Sequence, residues 1–326
     1  MLFYVSLTDE FLLIKEYCAA DLSVVILQQK KFIRFCMMKN NLQWGKSIAS
    51  FFLVLFMMPL GHAAMIIMEH TLSPSVLHYS AFALGVAGIL MVIRSVYVKG
   101  DTRQTLWGLA GGMLFWTGWV EFLFQYFANR FGTQPQVDPI SGEIVTKPEY
   151  LILPATFGLW MMIMVLYVFC CRTGCDFIRW WQKILLGKRK DEIVSRGMTR
   201  HPGIVTFMEL VMIMWTSYLL LMFCYDDNFI GDHHSVTLII GLLCLIASIF
   251  IFRKQLYIPT WGGNIRMAIA TVIVFWTPVE IMGRINLFQE IWIAPFEHIF
   301  EMTLIFSAFV LLATLLIFKT RTTHTV

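Results

Sequence analysis

The fold is decided by how one reads Ile265 to Leu287, IRMAIATVIVFWTPVEIMGRINL, an apolar run that carries a carboxylate, Glu280, near its end. A bilayer core takes about 20 predominantly apolar residues to cross as a helix. This stretch has the length, and it lacks the strict alternation of a barrel strand. Lipid offers no hydrogen bonds to an open backbone, so the segment must satisfy its own as a helix. Its motif FWTPVE, Phe275 to Glu280, recurs as FWTGWVE at Phe115 to Glu121, again with a glutamate set into apolar sequence.

Working outward, similar runs occur near 47–69, 75–98, 104–128, 150–170, 204–224, 235–252 and 297–318. The sequence therefore predicts an all-α, polytopic integral membrane protein of about eight transmembrane helices. Across the 326 residues, 58% are hydrophobic and 14% charged, with mean hydropathy +0.70, which excludes a conventional water-soluble domain.

Lys and Arg set the expected orientation. Segments 39–46, 94–103, 172–200, 253–266 and 319–321 hold 18 of the 25 basic residues, whereas the other side has Arg130, Lys147 and Arg284. Both termini of the core are thus expected in the cytoplasm, with the acidic and histidine-rich face extracytoplasmic. The net charge of +4 follows from this asymmetry and makes no case for nucleic acid.

Four regions are expected. Residues 1–38 are an N-terminal extension that suits neither a signal peptide nor a membrane span: an interfacial segment, or sequence upstream of a natural start at Met37 or Met38. Residues 39–170 form a first four-helix membrane unit, and 204–326 a second. Between them, 171–203 interleaves Trp180, Trp181 and aliphatic residues with basic ones, the pattern of an amphipathic linker helix on an anionic inner leaflet. Alignment of the units places His78 on His234 and Phe115, Trp116 and Thr117 on Phe275, Trp276 and Thr277; a one-residue gap beside Pro278 then brings Glu121 onto Glu280. An even number of helices per unit makes this a parallel 4+4 duplication.

Polar residues gather on the predicted outer side, including six of eight histidines. At about 1.5 Å per residue, Glu121 lies roughly 27 Å from Arg103 and Glu280 roughly 22 Å from Ile265, both below the outer surface. An ionised carboxylate there costs several kcal/mol unless paired, hydrated or protonated. Arg284, four residues on, is the expected helical partner of Glu280; Thr117 and Gln125 flank Glu121. His62 is expected as a packed, neutral side chain. The eighth run opens with EHIFE, placing Glu297, His298 and Glu301 within one turn, and YDDNFIGDHHS, 225–235, adds aspartates and His234.

The expected site comprises His78, Glu121, His234, Glu280, Glu297, His298 and Glu301. Mixed carboxylate and imidazole donors without thiolate suit Zn, Fe, Mn or Cu better than Ca. The predicted function is proton or divalent-metal binding linked to transport or sensing. Alternatives are a membrane-bound metal-dependent oxidoreductase and a non-catalytic scaffold docking a protein partner through its outer loops. The seven cysteines form no CxxC pair, and no phosphate-binding loop, dinucleotide fingerprint, nucleophile elbow or haem-attachment motif is present.

Overall fold

The computed structural model describes residues 42–137, 144–146, 148–170, 175–186 and 201–322. The expected N-terminal extension and the basic part of the linker beyond Leu186 lie outside the described residues, and the packing below concerns the described residues from 45 to 322.

Each of the eight predicted runs is helical over most of its length, but they do not make eight membrane-length apolar helices. Six helices are long and apolar enough to cross a membrane: α1 (Trp44–Thr71), α2 (Pro74–Tyr97), α8 (Pro202–Tyr225), α9 (Ser235–Gln255), α10 (Trp261–Arg284) and α11 (Ile299–Thr322), the last judged over Ile299–Ile317. The other two runs are interrupted. α3 (Asp101–Phe115) continues through a π-helical segment, Trp116–Glu121, into α4 (Phe122–Arg130); α5 (Pro148–Ile152) passes through a 3-10 turn into α6 (Phe157–Cys170). Between them β1 (Gln136–Val137) and β2 (Ile144–Thr146) pair antiparallel. The linker contributes α7 (Asp176–Leu186).

Local chemistry accounts for the boundaries. Pro74 and Pro202 occupy the first turns of α2 and α8, where a missing N–H costs nothing. His234 Nδ1 accepts from Val236 N at the start of α9, and Thr260 Oγ1 accepts from Gly263 N at the start of α10. Gly100, at φ 97°, turns the chain sharply from α2 into α3, a conformation that costs a side-chain-bearing residue strain.

Burial is inverted relative to a soluble bundle. In the apolar window of α11 only 11% of residues are buried, and in α9 only 17%, so long aliphatic faces point outward. Such surface needs an apolar solvent, and the architecture is that of a multi-pass integral membrane protein.

The interior is built on α1, α3, α8 and α10, through Leu53, Val54, Met57, Leu109, Leu210, Ile269 and Val272. Small residues let the axes approach: a Cβ on Gly88 would stand 2.6 Å from the carbonyl oxygen of Gly111, and one on Gly118 would stand 2.6 Å from that of Ala81. At the end rich in Lys and Arg, Gln255 Nε2 donates to Ser47 O and Asn264 Oδ1, Asn264 Nδ2 donates to Ser47 Oγ, and Thr271 Oγ1 donates to Gln255 Oε1. All four residues are buried, so this network locks α1, α9 and α10 in register.

Candidate functional site

The two glutamates singled out by the repeated motif face one small cavity. Its walls include Met58 and His62 from α1, Trp116 and Glu121 from the π segment, Tyr218 from α8, Trp276 and Glu280 from α10, and Trp292 from the connection before α11. The free volume is about 20 Å³, close to the room one water needs.

His62 Nδ1 lies 3.0 Å from Glu121 Oε1, with the two side chains 17% and 13% exposed. His62, expected as a packed, neutral side chain, is half-enclosed here, and its imidazole is the direct partner of the deep glutamate. The π segment makes this possible. Phe122 N bonds back to Thr117 O, five residues earlier, so the turn holds one residue more than an α-helical turn does. One residue corresponds to about 100° around a helix, and the added residue sets the direction in which Glu121 faces. Its neighbours hold the wide turn: Trp116 stacks on Tyr218 at 5.7 Å, Trp119 Nε1 donates to Phe82 O, and Gly118 sits against Ala81 and Gly85 of α2. Thr117 Oγ1 and Gln125 Oε1, one turn before and after Glu121, are buried and have no hydrogen-bond partner among the described residues.

Glu280 takes its hydrogen bond from Trp276 Nε1, at 2.6 Å, one turn earlier on α10. The expected pairing with Arg284 is not made. Arg284 Nε instead donates to Asp232 Oδ2 at 3.2 Å, while its guanidinium lies 4.9 Å from the Tyr225 ring. The i, i+4 spacing permits contact but does not compel it, and a loop carboxylate with an aromatic face is the better partner for a planar cation.

A third carboxylate belongs to the cluster and was missed in the sequence. Glu290 folds back onto α10, where a Cβ on Gly283 would collide with its carboxylate. Burial, followed by repulsion from Glu280, pushes its acid up from an ordinary 4.5 to about 7, against the opposing influence of His62, Arg284 and a hydrogen bond with Trp292. The Trp292 ring in turn lies 4.8 Å from that of Trp276. Sequence offered only a faint signal here, a glutamate among aromatic and apolar residues in LFQEIW, 287–292.

The remaining expected ligands lie apart from this cavity. His78 is exposed and sits edge-on to Tyr126 at 5.0 Å. His234 is exposed and caps α9. Glu297 and Glu301 are exposed, with His298 Nδ1 3.9 Å from Glu301 Oε2. Among the described residues no three His, Cys, Asp or Glu side chains are placed to hold a metal ion. At the opposite end, Cys175 is buried beside Glu209, whose Oε1 accepts from Asp176 N at the start of α7. Burial first and the Glu209 charge second push the Cys175 thiol up to about 12, so it stays protonated at neutral pH.

No protein-family model, curated protein or solved structure matches this chain, so its function is argued from the geometry of the site.

Proposed function

We propose that this chain is an eight-span membrane protein of two parallel four-helix units that binds protons at a cluster beneath its extracytoplasmic rim. The observation that carries the proposal is the His62–Glu121 contact at the wall of a cavity shared with Glu280. With Glu290, the cluster has three carboxylates and one imidazole. Even a fully protonated histidine offsets only one negative charge, and a buried unpaired charge costs several kcal/mol. The cluster must therefore hold protons or a cation. Room for about one water favours protons, passed between acid groups through a single bridging molecule, over a hydrated metal ion. The orphan oxygens of Thr117 and Gln125 offer further hydrogen-bonding stations beside Glu121.

The duplication draws support from the same site. Glu121 follows its motif threonine by four residues and Glu280 follows by three, and the one-residue difference coincides with the π segment, the backbone device that absorbs a single insertion. Toward the basic end, α1 and α10 continue into the apolar residues Leu53, Val54, Ile269 and Val272. In this conformation the cluster exchanges protons with one side, which is the behaviour of a proton sensor; transport requires this layer to open.

Infrared difference spectra recorded between acidic and alkaline pH test the proposal. The protonated-carboxyl bands are expected to weaken in Glu121→Gln, Glu280→Gln and Glu290→Gln. Spectra unchanged in all three variants would remove these residues from proton binding. Proton flux into vesicles, measured on the same proteins, separates sensing from transport.

A further inference from the structure

At the opposite, basic end of the chain, a second cavity of about 650 Å³ opens beside Arg94, Lys99 and Arg103. Arg94 lies in the last turn of α2, Lys99 in the connection and Arg103 in the first turn of α3, so three cations are gathered within ten residues. Among the described residues none of them forms an ion pair. The carboxylate that stands between them in sequence, Asp101, is engaged elsewhere: its Oδ1 lies 2.9 Å from Arg266 Nη1 on α10, and Asp101 does not line the cavity.

The remaining wall is apolar, with Leu106 and Ala110 of α3 and Ile317 of α11 among its residues. Tyr97 and Trp107, also in the lining, are 72% and 36% exposed. Aromatic side chains with this mixed environment collect at the level of lipid headgroups.

We propose that this cavity binds the headgroup and upper acyl chain of an anionic phospholipid. Three like charges around one space repel one another, and a phosphate among them replaces repulsion with attraction at short range. A free anion would satisfy the cations but leave the apolar wall against water. A zwitterionic lipid would cover the wall but bring a cation of its own toward the three already present. An anionic lipid matches both halves, and the volume falls in the range of small-molecule sites. Basic pockets between membrane helices on the positively charged side suit such headgroups. The site is independent of the proton cluster, and among the described residues no cation of α7 lines it.

Lipid retention by the purified full chain, read by native mass spectrometry, tests this. Phosphatidylglycerol is expected to be retained about tenfold more strongly than phosphatidylcholine with the same acyl chains. The triple variant Arg94→Gln, Lys99→Gln, Arg103→Gln should lose that preference, whereas Arg253→Gln with Lys254→Gln, at the end of α9, should keep it. A photoactivatable anionic lipid should label the segment 91–110 of the unmodified protein, which keeps the test valid if the triple variant misfolds. Equal retention of the two lipids, equal loss in the control variant, labelling elsewhere, or displacement by inorganic phosphate alone would each overturn the proposal.

Discussion

Replacing Glu290 by Gln should flatten the dependence of stability on pH, and the sign follows from its burial. The acid is held at about 7 in the folded chain against an ordinary 4.5. Between those values the folded state binds more protons than the unfolded state, so stability falls as pH rises through this window, and the loss is complete above about 7. Each unit of difference corresponds to about 1.4 kcal/mol, giving a ceiling of roughly 3 kcal/mol. Glu290 keeps part of its surface in water, so about half of that is the expected observable effect, equivalent to a few degrees in thermal midpoint. The assay is thermal unfolding of the detergent-purified protein, wild type and Glu290→Gln, from about pH 5 to pH 8. Wild type should lose more stability over this range, and the neutral variant should be the more stable of the two at the alkaline end. Two midpoint curves separated by a constant, with the same slope, would refute the argument, because Glu121 and Glu280 are present in both proteins.

Gly283→Ala should reproduce much of that flattening with Glu290 still present, because the added Cβ occupies the space of its carboxylate; the same pH series checks it. Asn264→Leu takes one of two partners from Gln255 Nε2, which keeps Ser47 O, and one of two from Ser47 Oγ, which keeps Gln255 O, and should cost about 1–3 kcal/mol, read as a lower midpoint. Adding Gln255→Leu should recover part of that loss, since an apolar pair leaves fewer unmet polar groups. Gly111→Val, whose Cβ would stand 2.7 Å from the Gly88 carbonyl oxygen, should force α2 from α3 and cost about 1–3 kcal/mol by the same measurement.

The helical, multi-pass membrane character was legible along the chain, and so were two of the residues that line the cavity. Glu121 and Glu280 stood out because a charge inside an apolar run is expensive wherever the helices later pack. Arg284 misled because a favourable i, i+4 spacing says nothing about Asp232 and Tyr225, which approach from other elements. His78 and His234 aligned across the two halves, yet one packs on Tyr126 and the other caps a helix. Sequence correspondence places residues at equivalent heights along a helix but does not orient them toward a common space. Glu290 escaped notice because its burial comes from folding back over Gly283, a contact between a connection and the preceding helix.

By itself the sequence determined the solvent and the helical character of the chain, because the cost of placing a peptide group or a charge in lipid is paid residue by residue and can be summed along a segment. Tertiary structure alone decided which ionisable groups meet. Whether His62 faces Glu121 depends on one extra residue in a π turn and on the close approach of glycine-lined helices. A shift of one position rotates a side chain by about 100°, and Coulomb interactions in a cavity the size of one water change completely over that displacement.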